Sequence, residues 1–427
     1  MEDKLEIIHG LKNVKLVLGN GFDLRCGLKT RYKDYFDHDG QKNDKIKELV
    51  DLFSMILDLI SNKGKDPQTD AVSWYKSMSD FWAEFDEKNE TAVDLSNINI
   101  WDVFFYMVSK VESAKLGQWR WCDIETKIKE SLYKEEERAQ NSGKENYISW
   151  DTVFAILSNG INRVQFDSKY YDNCELALFI YRKNDNKGFP TIDAFYKYLL
   201  KQLKEFERDF GNYICTQHCE DNIVVLGNHE LLKNRMMFVG NSKRAIKQLC
   251  PLENIVSIDT FNYDTPDIEE KADFVHNING DTREPIFGID SSCFKASDPR
   301  FIFAKIKRRL DLEAQMKVTQ KTIPFENLII YGHSLDEADY GYFFSTLSKM
   351  RIDDTSNSSK VIFGFSIYDD SKREQIIADL SLRISRLFEA YSEYYVNEKR
   401  PLILLESLKE QGRVLMQEIP NDTAITN

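Results

Sequence analysis

The stretch that most constrains the fold lies near the start of the chain, where a short aliphatic run stops at two glycines. The run Val14–Leu18 is too short for a helix and predicts a buried strand. Gly19 and Gly21 remove Cβ atoms where a chain turns sharply or admits a ligand to its backbone. Because nucleotides bind at the first turn of open α/β sheets, Gly19–Asp23 is predicted to form one wall of a nucleotide pocket. A turn without ligand is the alternative, since Leu24 replaces the third glycine of G-x-G-x-x-G.

Composition narrows the class of protein. The 427 residues carry a net charge of -13, with 42% hydrophobic and 30% charged residues, which is typical of a globular protein with two or three structural units. The acidic balance disfavours general binding to nucleic acid. We expect no membrane span and no secretory signal, because long apolar runs are absent. Seven scattered cysteines predict reduced thiols and a cytoplasmic location.

The character of the sequence changes along the chain. Apolar residues recur at spacings of three and four from Lys42 to about Phe210, which predicts helices with a buried stripe. Short aliphatic runs then alternate with helical stretches, which predicts a parallel sheet. The runs predicted as strands are 223–226, 236–239, 255–258, 274–275, 328–331, 361–364 and 413–416. The predicted fold class is therefore α/β: a Rossmann-like parallel sheet from residues 1–40 and 221–427, with a large, mostly α-helical insertion at 41–220.

Four polar stretches follow predicted strands. They are Gly19–Asp23, Asp259–Asp264, Val275–Asp281 and Tyr331–Asp339. The carboxyl ends of parallel strands share one edge of a sheet, so we expect these stretches to converge on one crevice.

These same stretches resemble a known family. In order, they read Gly-Asn-Gly-Phe-Asp, Thr-Phe-Asn-Tyr-Asp, His-Asn-Ile-Asn-Gly and Gly-His-Ser-Leu-Asp-Glu-Ala-Asp. The set is similar to the AbiH family of bacterial phage abortive-infection proteins, from residue 14 to about 350. It also resembles a divergent sirtuin-like domain. The resemblance implies a Rossmann-like fold, and several defence proteins of that class consume NAD.

The resemblance also implies roles for individual residues. Asn262 matches the asparagine at the ribose, and His276 matches the histidine that acts on a ribose hydroxyl or water, so both are expected to be catalytic. NAD, as substrate or ligand, is expected to contact Gly19, Asn20, Gly21, Phe22, Asp23, Asp264, Gly332, His333, Ser334 and Asp336. No metal site is expected, because Cys215–Cys219 lacks a second ligand pair at zinc spacing.

Structural alternatives stand beside these assignments. His276 is also typical of a hydrogen-bonded histidine at a strand end, and Asn262 of a loop cap. Ser334 with Glu337 fits a helix N-terminus. The patch Trp119–Glu125 is explained by helical core packing or by a second crevice wall that includes Asp123 and Glu125.

Three functions are therefore compared. The first is an antiphage effector that cleaves the nicotinamide–ribose bond, for which a histidine with a pKa of about 6.5 suits proton transfer. The second is a non-catalytic sensor of a nucleotide or an ADP-ribose-type signal. A nuclease is third, because clustered metal carboxylates are missing. The expected partners are a small nucleotide, an unknown phage trigger, and either a second copy or a second defence protein.

Overall fold

The chain divides into two compact units. A computed structural model describes residues 8, 10–63, 95, 97–111, 121–133, 148–159, 171–185, 187–218, 229–263, 266, 275–316, 323–354, 356–396 and 402–420. The first unit comprises Met1–Thr30, Arg208–Ile286 and Lys305–Asn427. The second comprises Arg31–Glu207 and Phe287–Ala304. The predicted strand at 223–226, residue 274 and the predicted boundary at 221 lie outside the described residues.

The first unit is built on one parallel sheet. Its strands in the described residues are β1 (Val14–Leu18), β2 (Ile255–Thr260), β3 (Val275–Asn277), β4 (Asn327–Tyr331), β5 (Val361–Phe365) and β6 (Val414–Glu418). Their order is β3-β2-β1-β4-β5-β6, and every neighbouring pair is parallel. This arrangement confirms the predicted α/β class and the Rossmann-like sheet.

Helices account for most of the remaining described chain. They are α1 (Asn20–Arg25), α2 (Tyr32–His38), α3 (Gly40–Lys63), α4 (Ile100–Val111), α5 (Trp121–Leu132), α6 (Trp150–Asn159), α7 (Tyr171–Lys183), α8 (Ile192–His218), α9 (His229–Leu249), α10 (Lys305–Met316), α11 (Tyr340–Lys349), α12 (Arg373–Tyr391) and α13 (Leu402–Glu410). Short 3₁₀ turns occur at Leu252–Asn254, Pro299–Phe303, Glu337–Asp339 and Asp370–Lys372, and a π-helical turn at Ser392–Val396. The two units meet in sequence within α8, between Glu207 and Arg208.

Alternation along β1 sorts the core of the first unit into two layers. Leu16 and Leu18 pack in one buried cluster with Phe238 and Ile246 of α9. Val17 packs in the other cluster, with Phe343 of α11 among its members. Successive side chains of a strand point to opposite faces, so helices cover both faces of the sheet.

One predicted strand is wrong. Residues 236–239 lie inside α9 rather than in the sheet. Met236 and Met237 are exposed, whereas Phe238 is buried and Ala245 and Leu249 follow it at helical spacing. A run of four apolar residues fits a strand and a helix equally well. The buried residues that follow at helical spacing show that this run belongs to a helix.

The second unit has an aromatic core. The rings of Trp101 and Trp150 lie 5.0 Å apart between centroids, and both side chains are fully buried. Trp101 also donates its indole N–H to the carbonyl of Leu199 at 3.0 Å. The apolar periodicity that predicts helices between Lys42 and Phe210 therefore corresponds to helix packing at Ile100–Val111 and Trp150–Asn159.

Close backbone contacts fix the turn after β1. Gly19 N–H donates to the Tyr331 carbonyl at 3.0 Å, and Gly21 N–H donates to the Gly332 carbonyl at 2.8 Å. A Cβ on Gly332 would lie 2.5 Å from the Phe22 nitrogen, and Gly332 has a φ of +71°. Glycine is therefore required at 332 by both space and backbone conformation.

We predict that Gly332→Ala lowers the free energy of unfolding by roughly 2 kcal/mol or more, because strain in the left-handed region adds to the clash. Gly341→Ala is the matched control, since a Cβ there meets nothing within 4 Å. Because Gly341 lies within α11, its replacement by alanine should leave the free energy of unfolding unchanged or raise it by up to about 1 kcal/mol. Urea unfolding measures both, and equal small effects would contradict this account of the turn.

Candidate functional site

The site lies in the first unit, where the strand order changes direction. β1 lies between β2 and β4. β2 and β3 extend the sheet on one side of β1, and β4, β5 and β6 extend it on the other side. In sheets of this kind the crevice at the carboxyl ends of these central strands is the usual ligand site. The polar stretches after β1, β2 and β4 all begin at this edge.

Asn262 binds the turn after β1, at the edge of the sheet where the crevice lies. Its side-chain amide donates to the Gly19 carbonyl at 3.0 Å and to Asp23 Oδ1 at 2.8 Å. Its backbone N–H donates to Thr260 Oγ1 at 3.0 Å. Asn262 and Asp23 are both buried. The structure therefore brings together Gly19, Asp23 and Asn262, three of the residues predicted from the sequence.

A second cluster surrounds His276. Its Nδ1 lies 3.2 Å from Asp259 Oδ1. The other oxygen of Asp259 lies 2.6 Å from Lys15 Nζ and accepts a 2.6 Å hydrogen bond from the Tyr342 hydroxyl. Asp259 is 4% exposed at its side chain, and His276 is 22% exposed. One buried carboxylate thus positions an imidazole, an ammonium and a phenol.

The partners of Asp259 keep it ionised. Burial alone would raise the pKa of this carboxyl, but the hydrogen bond from His276 and the charge of Lys15 outweigh burial and hold the pKa below its usual range. Burial raises the pKa of Tyr342 well above its usual range, and the charge of Asp259 adds to that shift. Tyr342 therefore acts as a hydrogen-bond donor and Asp259 as an acceptor at neutral pH.

A cavity of ≈ 250 Å³ adjoins this cluster. It lies against β1, β2 and β3 and is flanked by α10 and α11. Lys15, Asp259 and His276 line it together with Ser257 and Lys349. Because Asp259 holds Nδ1 of His276, Nε2 on the far side of the ring is the nitrogen that can serve a ligand.

His333 lies in a third, buried environment. Its ring packs against Phe261 at 4.3 Å and Phe343 at 5.0 Å between centroids. Its Nδ1 accepts from the Leu335 N–H at 2.8 Å, and its Nε2 lies 3.5 Å from Asp339. These contacts position the loop after β4.

Two neighbouring acids stabilise the same loop. Asp339 binds Lys305 at 2.6 Å; burial opposes its ionisation, but the charge of Lys305 lowers the pKa of Asp339 below its usual range. Asp336 caps the turn Glu337–Asp339 through the Ala338 N–H, and burial raises the pKa of Asp336. The suggested cap at Ser334 is therefore wrong, because Asp336 occupies that role and α11 begins later, at Tyr340. The Ser334 carbonyl accepts from Arg383 at 2.6 Å.

The remaining predicted residues have the following places. Asn20 begins α1 and accepts from the Thr30 hydroxyl at 2.5 Å, and Phe22 is buried in the core. Gly332 holds the close contact with the β1 turn. Asp264, Trp119, Arg120 and the side chain of Asp123 lie outside the described residues. In the second unit, Glu125 accepts from the Gly288 N–H at 3.3 Å.

The two residues expected to be catalytic occupy adjoining but different clusters. The Asn262 side chain binds the β1 turn, whereas the His276 side chain binds Asp259. Asn277, the residue after His276, links them by donating to the Asn262 carbonyl at 3.1 Å. Sequence reasoning missed Lys15, Ser257, Asp259 and Tyr342. The available signals were polar residues at alternate positions of β2 for Ser257 and Asp259, and the single charged residue of the apolar strand β1 for Lys15.

Comparison with known proteins identifies the family. The family model described as "Bacteriophage abortive infection AbiH" matches residues 16–361 of the 427. The chain belongs to the AbiH family. An AbiH protein is a phage abortive-infection defence protein, which confirms the coarser part of the functional prediction. No curated protein and no solved structure matches this AbiH chain.

Two kinds of feature are absent from the described residues. No helix there is long and apolar enough to cross a membrane. No group of three or more His, Cys, Asp or Glu in that part of the chain could hold a metal ion.

We predict that Tyr342→Phe lowers the free energy of unfolding by about 2 kcal/mol at pH 7, because a hydrogen bond to a buried charge is lost. The folded pKa of Asp259 lies below its unfolded value near 4, so its ionised form stabilises the protein fully above about pH 4. This stabilisation is lost as the pH falls through the folded pKa. The difference between wild type and variant should therefore shrink below about pH 4.

Tyr340→Phe is the matched control, because Tyr340 is on the same helix and its ring packs on Phe344 at 5.6 Å between centroids. Unfolding curves at pH 7 and pH 3.5 give the difference in the free energy of unfolding between wild type and each variant. A pH-independent loss in Tyr342→Phe, or an equal loss in the control, would show that the bond to Asp259 is not what stabilises the protein.

Proposed function

We propose that this AbiH protein is an effector that hydrolyses the nicotinamide–ribose bond of NAD or a related nucleotide, in the cavity beside His276. The observation that carries the proposal is the His276–Asp259 pair. A partly exposed imidazole is fixed through Nδ1 by a buried carboxylate, and His276 is one of the residues that line the cavity. This is the arrangement of an oriented general base.

The proposed reaction needs one proton acceptor and good positioning. The oxygen of water attacks C1′ of the ribose while the C1′–N bond breaks. The electron pair of that bond passes to the pyridinium nitrogen, so nicotinamide leaves as a neutral molecule. His276 Nε2 takes the proton of water and later releases it to solvent. The products are ADP-ribose, nicotinamide and one proton.

Asn262 has a positioning role in the proposal. Two hydrogen bonds from its amide group fix its orientation, which leaves its side-chain oxygen to accept from a ribose hydroxyl. The stretch 332–336 after β4, with Gly332, His333, Ser334 and Asp336, is proposed to contact the nucleotide at the crevice edge. The family resemblance and the shared sheet edge support this placement.

The N–H groups of the β1 turn limit one part of the proposal. Gly19 and Gly21 donate to carbonyls of the loop around Gly332. Their N–H groups are therefore engaged within the protein, and the nucleotide phosphates need other donors. Asn20 and Asp23 are also bound internally, by Thr30 and Asn262.

We predict that purified protein releases nicotinamide from NAD, alone or with lysate of phage-infected cells, and that His276→Gln lowers the rate about a hundredfold or more. Glutamine keeps a polar group near Asp259 but cannot accept the proton, and general-base catalysis contributes at least this factor. Free nicotinamide measured by chromatography gives the rate. Binding of ADP-ribose should persist in the variant.

His38→Gln is the control, because His38 is an exposed histidine of the second unit. It should retain the wild-type rate and phage protection. Nicotinamide release that survives His276→Gln would remove the catalytic role. Binding of ADP-ribose without any release, in wild type and under both conditions, would instead favour the sensor.

A further inference from the structure

The cavity beside His276 extends away from the crevice edge along the face of the sheet. Ser257 pairs with Lys15 across β1 and β2, and Asp259 pairs with His276 across β2 and β3. Ser257 precedes Asp259 by two residues, which is about 6.6 Å along a parallel strand. Lys349 ends α11 and lines the same cavity. A ligand at His276 can therefore continue toward Ser257 and Lys349.

The charged groups that line the cavity favour an anion. Its cations are Lys15, Arg309 and Lys349, and its carboxylates are Asp259 and Glu313. Asp259 already binds Lys15, and Glu313 and Lys349 are both exposed. Among the described residues, no carboxylate forms an ion pair with Lys349. The three cations and two carboxylates leave the lining of the cavity with a net positive charge.

Ser257 provides an independent observation. Its side chain is buried, with 2% of the residue exposed, and its hydroxyl has no hydrogen-bond partner among the described residues. A buried hydroxyl without a partner is costly, so natural proteins retain such groups rarely and for a reason. An oxygen of a ligand in the cavity would supply the missing partner.

The size of the cavity limits the ligand. A volume of ≈ 250 Å³ is below the 300–1,000 Å³ typical of sites for drug-sized ligands. It suits one small, compact polar unit rather than a whole dinucleotide. His276 lies level with Asp259, about 6.6 Å along the sheet from Ser257, and this distance corresponds to the length of one sugar ring.

We infer that the cavity binds a phosphorylated sugar, with the sugar beside His276 and the phosphate between Lys349 and Ser257. The inference names the ligand class of the proposed active site, and it rests on the proposed function only for the role of His276. Lys349 supplies charge and Ser257 supplies a hydroxyl donor. The ammonium group of Lys15 already binds Asp259, and its positive charge adds to the electrostatic attraction for the phosphate.

Calorimetry on the full chain tests the inference with ribose 5-phosphate as the probe and ribose as the comparison. Ribose 5-phosphate should bind at least tenfold more tightly than ribose. Lys349→Gln should weaken the binding of ribose 5-phosphate about tenfold or more, because a charged hydrogen bond is lost. Lys409→Gln on α13, an exposed lysine away from the cavity, should leave it unchanged.

Ser257→Ala separates ligand binding from a structural role. Removing an unpartnered buried hydroxyl should leave Tm unchanged or raise it, while ribose 5-phosphate binds several-fold more weakly. A lowered Tm with unchanged affinity would overturn the inference. Equal affinity for ribose and ribose 5-phosphate, or wild-type affinity in Lys349→Gln, would also overturn it.

These outcomes are distinct from those of the proposed hydrolysis. Binding of ribose 5-phosphate as described, without any nicotinamide release, would support the ligand class and reject the hydrolase. Nicotinamide release with an unchanged KM in both Lys349→Gln and Ser257→Ala would support the hydrolase and reject the phosphate site.

Discussion

One buried carboxylate is the interaction on which the candidate site depends. Asp259 binds Lys15 of β1, His276 of β3 and Tyr342 of α11, so it joins three elements around β2. A buried charge is tolerated only when partners compensate its lost hydration. The same requirement that keeps Asp259 ionised therefore fixes the position of the histidine and forms one wall of the cavity.

The fold followed from the sequence more completely than the site did. Short aliphatic runs predicted β1, β2, β4, β5 and β6, and the two glycines predicted the sharp turn after β1. The run at 236–239 failed because four apolar residues fit a buried helix equally well. Asp259 lies in the predicted polar stretch Asp259–Asp264, but its role does not follow from the sequence, because its partners Lys15 and Tyr342 are distant in sequence and only the tertiary structure brings them together.

The glycines of the first turn have a packing role that the sequence could not separate from ligand binding. Both interpretations require a missing Cβ, and the structure places the backbone around Gly332 in that space. Asn262 reinforces the same contact through the Gly19 carbonyl. Polar groups of the turn after β1 are thus hydrogen-bonded within the protein, whereas the buried Ser257 hydroxyl in the cavity beside His276 has no partner among the described residues. This contrast locates the proposed chemistry at β2 and β3.

A crystal structure of the protein with ADP-ribose tests this location most directly. The account predicts that the ribose freed from nicotinamide lies in the cavity, with its C1′ end beside Nε2 of His276 and its phosphate toward Lys349. ADP-ribose bound over Gly19–Asp23 with the cavity unoccupied would contradict the account. It would assign the ligand to the crevice edge and leave the His276–Asp259 pair a structural contact.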